Sequence, residues 1–348
     1  MIKILRTILL FACLISNLHA QPADVVDPLN KKLQQSLSSL TQKNNIKGAV
    51  ILLYANGKLY EEYYGYADDN KDNPVIRKTI FEIGSISKIM TSLLFAQEYD
   101  WAKMALNDPV TKYVKGLPRA YDKITMQDLA TGRYSNAGMD LLGEALAAST
   151  ESDYGDLYRR HIMNPLLMVN GATVPKSLAK YYAQGYDRAG KAVSPVGEGF
   201  YASSYGIKAS VADMQKFLSA AIGLPGTPPR VFYPMRLTQS MFIKKNDEFQ
   251  GLAWQIHPIR NNKDINRLLT IADHPNKSPV IIQEILQRPV YSDNVMMDKT
   301  GMTDGFSAYI AVIPAKKSGI VILANKNIPD HVTVKLAREI LLGVTNLS

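Results

Sequence analysis

Strand-forming runs near both ends of the chain, with helical spacing between them, predict an α/β fold. Its antiparallel sheet is built from the two termini and flanked by helices, and a mainly helical region is inserted between the terminal parts. Gly48 to Tyr54 is a β-branched and aliphatic run, Asn56-Gly57 is a hairpin signal, and Leu59 to Tyr66 is aromatic-rich. Near the other end, Ala308 to Ile313 and Gly319 to Ala324 form a second hairpin across Pro314 to Ser318. The middle differs: Ile86 to Gln97, Met139 to Ala148 and Val211 to Leu218 carry apolar residues at three- and four-residue steps.

Length and composition allow this. The 348 residues are 46% apolar and 20% charged, enough for a sizeable core, which excludes disorder, collagen and coiled coil. Lys3 and Arg6 precede the apolar run Thr7 to Leu18, which ends in Ala20 before Gln21. Residues 1–20 therefore read as a secretory signal cleaved after Ala20, the run being too short to span a bilayer, and the protein as periplasmic or secreted. The only cysteine, Cys13, lies in that signal, so the mature chain is expected to have no disulfide and no thiolate site. A lipid anchor on Cys13 is the alternative. The formal charge of +9 falls to about +7 without Lys3 and Arg6 and is scattered, favouring small anionic substrates over nucleic acid.

After the signal, Leu29, Leu33, Leu37 and Leu40 mark an amphipathic helix over about Pro28 to Lys43, and Asp330 to Leu342 reads as a closing helix. The Pro-rich stretch Leu224 to Pro234 reads as loop. The expected division is an α/β domain of residues 21–83 and 208–348 and a helical domain of 84–207.

Ser85-Ile86-Ser87-Lys88 opens the Ile86 helix, placing a hydroxyl at its N-terminus and an amine one turn on. A serine needs an adjacent base to act as a nucleophile, and a helix N-terminus offers N–H groups to a developing oxyanion. Taken singly, Ser85 reads first as a helix cap, and Ser177-Leu178-Ala179-Lys180 repeats the spacing in a polar stretch. Tyr134-Ser135-Asn136 precedes the Met139 helix, and Lys299-Thr300-Gly301 falls on a predicted strand ahead of the terminal hairpin.

In this order the three motifs form the signature set of penicillin-recognising serine enzymes. The chain resembles class C beta-lactamases through Phe81-Glu82-Ile83-Gly84-Ser85-Ile86-Ser87-Lys88, Asp108-Pro109-Val110-Thr111-Lys112-Tyr113, Tyr134-Ser135-Asn136, Tyr205-Gly206-Ile207-Lys208, Phe249 to Trp254, and Lys299-Thr300-Gly301 through Asn325-Lys326-Asn327. The resemblance covers nearly the whole mature chain. It implies a beta-lactamase/transpeptidase-like fold with the site between its two parts, and a beta-lactam substrate. Ser85 would attack the lactam carbonyl, Lys88 and Tyr134 would jointly manage its proton, and Lys299 would keep the field positive. Asn136 would hold the substrate's side-chain amide, with Tyr205, Thr300, Gly301 and Met302 as further substrate contacts. The backbone N–H groups of Ser85 and Met302 would form the oxyanion hole. A cation at roughly 4 Å in an effective dielectric of about 20 lowers a phenol by nearly three pKa units, enough to bring Tyr134 toward neutrality.

Two departures qualify the implied activity. Leu129-Ala130-Thr131 reaches Tyr134 through Gly132 and Arg133 alone, where the family has roughly three dozen more residues, more than a simple connection between helices. Asp330 and Thr333 stand where the family presents Asn and Arg, and an acid there should repel a substrate carboxylate. Slowed turnover is therefore expected, and a D-alanyl-D-alanine peptidase or esterase and a non-catalytic penicillin-binding remnant remain alternatives. His161, His257, His274 and His331 stand singly and read as surface or loop residues, so no metal or other cofactor is expected. Trp101 and Trp254 read as packing residues, and the protein as a monomer without a membrane span.

Overall fold

A computed structural model describes residues 27–132, 135–197, 202–273 and 283–345. The expectations for residues 1–20, Tyr134 and His274 lie outside those residues.

Among the described residues thirteen strands form, in chain order: β1 (Gly48–Ala55), β2 (Lys58–Gly65), β3 (Ile80–Glu82), β4 (Gly185–Tyr186), β5 (Ala192–Val193), β6 (Lys208–Ser210), β7 (Met241–Lys245), β8 (Glu248–Gln250), β9 (Gln255–Pro258), β10 (Gln283–Val290), β11 (Val295–Met302), β12 (Ser307–Ile313) and β13 (Ser318–Ala324). The helices are α1 (Pro28–Asn44), α2 (Ser87–Asp100), α3 (Met126–Ala130), α4 (Ser135–Thr150), α5 (Tyr154–Tyr158), α6 (Asn164–Leu166), α7 (Val211–Ala221), α8 (Pro229–Thr238), α9 (Asn262–Asp273) and α10 (Asp330–Val344).

Nine strands make one antiparallel sheet in the order β10-β7-β8-β9-β11-β12-β13-β1-β2, so the N-terminal hairpin pairs with the C-terminal one through β1 and β13. At the first hairpin, Asn56 and Gly57 both take positive φ (54° and 77°), as a type I′ turn requires. Successive side chains of β1 point to opposite faces, and both faces are covered. Ile51 and Leu53 join Leu33 and Leu37 of α1 and Leu341 of α10, while Val50 and Leu52 join Met214 and Phe217 of α7. Burial on both faces explains the unbroken apolar run Gly48 to Ala55. β3 and β6 pair at the points where the chain leaves for and returns from the helical stretch.

Two expectations need correction. Leu224 to Pro234 is not all loop, because α8 starts at Pro229. Pro228 and Pro229 suit the entry to a helix, and Pro234 inside it forgoes the bond its nitrogen would make to Arg230 O. Gln97 Nε2 of α2 donates to that carbonyl instead, at 2.9 Å. No strand is expected from the sequence over β7 to β10, which form one edge of the sheet. His257 is no surface residue but is 2% exposed on β9.

His257 belongs to a buried ionic cluster centred on Asp298 of β11. Asp298 accepts from Arg338 Nη2 at 2.7 Å and Nε at 3.1 Å, and from the Tyr309 hydroxyl at 2.5 Å, with His257 Nε2 3.1 Å away. The Arg338 guanidinium and His257 hold the Asp298 carboxyl far below the usual range against the effect of burial. Removing one partner of such a buried pair costs about 3–5 kcal/mol. We therefore expect Arg338→Met to lower stability by about that amount in chemical denaturation, and Asp298→Asn in the same chain to recover part of it. An unchanged midpoint for the single variant would show that His257 alone compensates Asp298.

Candidate active site

Ser85 lies in a 3-10 turn, Gly84–Ile86, that runs directly into α2. Gly84 has φ +52°, and a Cβ there would sit 2.3 Å from Met302 N, so only glycine allows the approach. Gly301 mirrors it: a Cβ would lie 2.0 Å from Ile83 O. These contacts bring the Ser85 turn and the end of β11 together backbone to backbone.

One turn into α2, Lys88 is 7% exposed and donates to Ser85 Oγ at 2.8 Å, Asn136 Oδ1 at 2.7 Å and Ser204 O at 2.8 Å. All three ammonium hydrogens are thereby engaged. Burial, and then the charge of Lys299, pull the Lys88 ammonium down to about 8, with Asp140 opposing. At pH 7 about one lysine in ten would then be neutral and able to accept the Ser85 proton. Lys299 on β11 is also lowered by burial, against Asp298 and Asp330.

Ser85, Asn136, Tyr205 and Met302 line a cleft of about 610 Å³. Thr300 and Gly301 occupy the adjoining strand positions on β11. Asn136 sits in the first turn of α4. Tyr134, the expected partner of Lys88, lies outside the described residues. Ser177, by contrast, is exposed beside exposed Lys180 in the 3-10 turn Lys176–Tyr181 and does not line this cleft.

Several lining residues were not read from the sequence. Ser194 to Gly197 form one wall, held where Glu82 Oε1 accepts from Val196 N at 2.7 Å and from the Tyr182 hydroxyl at 2.6 Å. Asn327 lines another part, fixed by its Nδ2 donating to Thr303 O at 2.8 Å. Asn327 stands in the Asn325-Lys326-Asn327 motif, whereas Ser194 to Gly197 lie in no motif and are placed by the tertiary hydrogen bond to Glu82. Among the described residues no group of three or more His, Cys, Asp or Glu could hold a metal ion, and no helix is long and apolar enough to cross a membrane.

The ends of the shortened α3–α4 connection are packed. Leu129 and Ala130 are buried, and Ser92 Oγ donates to Ala130 O at 3.0 Å. Beside it an open groove of about 560 Å³ runs along α4, lined by Leu117, Tyr121, Ala137, Asp140 and Leu141 among others.

The chain matches the Beta-lactamase family over residues 33–345. It is 30% identical to a beta-lactamase of Yersinia enterocolitica, covering 89% of this chain and 90% of that one. It is 29% identical to one of Psychrobacter immobilis, covering 99% and 95%. The latter match spans 389 aligned positions against 348 residues here, so the relative carries residues within it that this chain lacks. Among solved structures, a D-alanine carboxypeptidase AmpC from Burkholderia cenocepacia superposes with TM-score 0.82 at 28% identity, over 90% of this chain and 98% of that one. A class C beta-lactamase in complex with cefoxitin gives TM-score 0.80 at 28% identity, over 90% and 99%. With Ser85, Asn136 and Met302 lining one cleft, the chain belongs to the beta-lactamase family, in its class C-like serine form.

Proposed function

We propose that the protein opens beta-lactams through an acyl-enzyme on Ser85 and releases the product slowly. The observation that carries this is the 2.8 Å contact between Ser85 Oγ and a buried lysine whose ammonium is lowered to about 8. Ser85 Oγ bonds to the lactam carbonyl carbon as its proton passes to the Lys88–Tyr134 pair. The C–N bond then breaks and that proton goes to the departing nitrogen. Backbone N–H groups of Ser85 and Met302, whose chain segments abut at Gly84, would stabilise the oxyanion. Asn136 would bind the substrate's side-chain amide, Lys299 would hold its carboxylate in a positive field, and Thr300, Gly301 and Tyr205 would complete its seat. Water then attacks the acyl carbon as its proton passes to the Tyr134–Lys88 pair, the bond to Ser85 Oγ breaks and Ser85 takes that proton back, and this step depends most on the placement of Tyr134 at the end of the shortened connection.

The remaining expectations fit this role. They are export with cleavage after Ala20, a monomer acting on a small molecule without nucleic acid, and an α/β domain (21–83 with 208–348) beside a helical one (84–207). The pairing of β3 with β6 supports that division.

Ser85→Ala should abolish the covalent penicillin adduct in intact-mass measurements, whereas Ser177→Ala should leave it unchanged; an adduct persisting on the Ser85 variant would refute the nucleophile. Gly301→Ala should slow adduct formation at least about a hundredfold, as a displacement of ~1 Å at the reacting atoms does, while circular dichroism stays native; a wild-type rate would show that the close approach is not needed. The unaltered protein should form a long-lived penicillin adduct with weak hydrolysis, and a longer connection between Thr131 and Tyr134 should speed turnover. Rapid cephalosporin hydrolysis by the unaltered protein would overturn the slow-release reading, and failure to form any adduct would leave a non-catalytic remnant. Mass spectrometry of exported protein should find Gln21 at the N-terminus; a chain starting at lipidated Cys13 would place it on a membrane instead.

A further inference from the structure

Two of the three oxygens that hold Lys88, those of Ser85 and Asn136, lie at the cleft and face substrate. The third, Ser204 O, belongs to a π-helical turn, Ala202–Gly206, and the turn is gripped at Ser203 from two sides. Ser203 Oγ donates to Asp140 Oδ1 at 2.8 Å, and Thr91 Oγ1 of α2 donates to Ser203 O at 2.6 Å. The packing leaves little slack, because a Cβ on Gly143 of α4 would meet Ser203 Cβ at 2.6 Å. Asp140 follows Asn136 by four residues on α4, so both lie on one face of that helix. Nothing in the acylation chemistry uses Asp140.

We propose that Asp140 is a positioning residue for Lys88: through Ser203 it fixes the peptide carbonyl that holds the ammonium, and its carboxylate balances the positive charge that Lys299 adds to the site. The proposal rests on the reading of Lys88 as a proton carrier for Ser85. The charges facing Lys88 are Lys299 from β11 and Asp140 from α4. Tyr154 of α5, whose hydroxyl lies 2.6 Å from Thr91 Oγ1, is half-buried, and desolvation pushes its phenol up so that it stays uncharged; Tyr134 lies outside the described residues. Burial and Lys299 favour the neutral amine, while Asp140 favours the ammonium. Asp140 thus keeps the proton available for return to the leaving nitrogen, while burial and Lys299 leave a fraction of the amine free to take it from Ser85.

The two roles separate by mutation. Asp140→Asn keeps an acceptor for Ser203 and removes the charge, while Ser203→Ala breaks the link and keeps the charge. Asp140→Glu restores the charge and serves as the rescue. Lysine labelled with ¹³C at Cε, with the Lys88 resonance assigned through Lys88→Arg, reports its titration independently of activity, and single-turnover penicillin acylation gives the rate against pH. In Asp140→Asn we expect the Lys88 midpoint to fall by about one pH unit, the size expected for loss of a carboxylate within roughly 10 Å. The rising limb of acylation should move down with it, and Asp140→Glu should return both toward wild type. Ser203→Ala should slow acylation about tenfold at every pH, as a small misplacement of the base does, with the midpoint nearly unmoved. An unmoved midpoint in Asp140→Asn would overturn the charge role, and wild-type acylation by Ser203→Ala would overturn the positioning role. If wild-type protein forms no adduct, the acyl-enzyme reading fails on its own, and the lysine titration still decides whether Asp140 sets the charge of Lys88.

Discussion

Gly84 and Gly301 let the turn before α2 and the end of β11 meet closer than any Cβ permits, and the cleft is built on that contact. Ser85 follows one of these glycines and Met302 the other, so two elements more than two hundred residues apart in sequence are held in mutual register by backbone alone. Backbone contacts of this kind have few soft degrees of freedom, which is how a reacting atom can be held to within a fraction of an ångström. β11 is in turn fixed by β9 and β12 on either side and by the Asp298–Arg338 pair. Asp298 precedes Lys299 on the strand, so the two side chains leave opposite faces: one anchors the sheet to α10, the other approaches the cleft.

The same closeness places two lysines in one poorly solvated region. Burial lowers both Lys88 and Lys299, and Lys299 lowers Lys88 further. Burial disfavours the charged form of both and so weakens the positive field of the site. Compensation is divided: Asp298 and Asp330 support the ammonium on Lys299, and Asp140 supports the one on Lys88. The two lysines are thus biased by different acids, Lys299 by Asp298 and Asp330 and Lys88 by Asp140, while burial lowers both.

Much of this was legible because it is local. Asn56-Gly57 fixes its hairpin through two positive φ angles, the Leu33 and Leu37 stripe appears as α1, and Ser85 and Lys88 share a helix face by spacing alone. The illegible parts are those decided by distant partners. Pro234 looks like a breaker until Gln97 takes over the carbonyl it leaves unbonded. His257 looks like a surface histidine until Glu248 and Asp298 enclose it, at 2.9 and 3.1 Å. Ser204 contributes only a carbonyl, a group every residue has, so no sequence pattern could nominate it.

The two departures from the family's pattern act on different links of this chain of causes. Shortening the α3–α4 connection leaves Leu129, Ala130 and Met139 buried, so the fold tolerates it; the loss falls on what the connection would have placed beside the cleft. Asp330 acts by charge rather than by shape. It opens α10, is half-buried, and is pushed up by that burial while Lys299 pulls it down. Thr333, one turn on, is 1% exposed and donates its hydroxyl to Asp330 O at 3.0 Å, so it offers nothing to an anion. In the proposed mechanism Lys299 must therefore attract a substrate carboxylate with an acid as its neighbour. Part of its field is already engaged by that acid, so an anionic substrate gains less here than a lone lysine would give it. Acylation by Ser85 needs no such carboxylate contact, so binding selectivity and covalent chemistry become separable in this cleft.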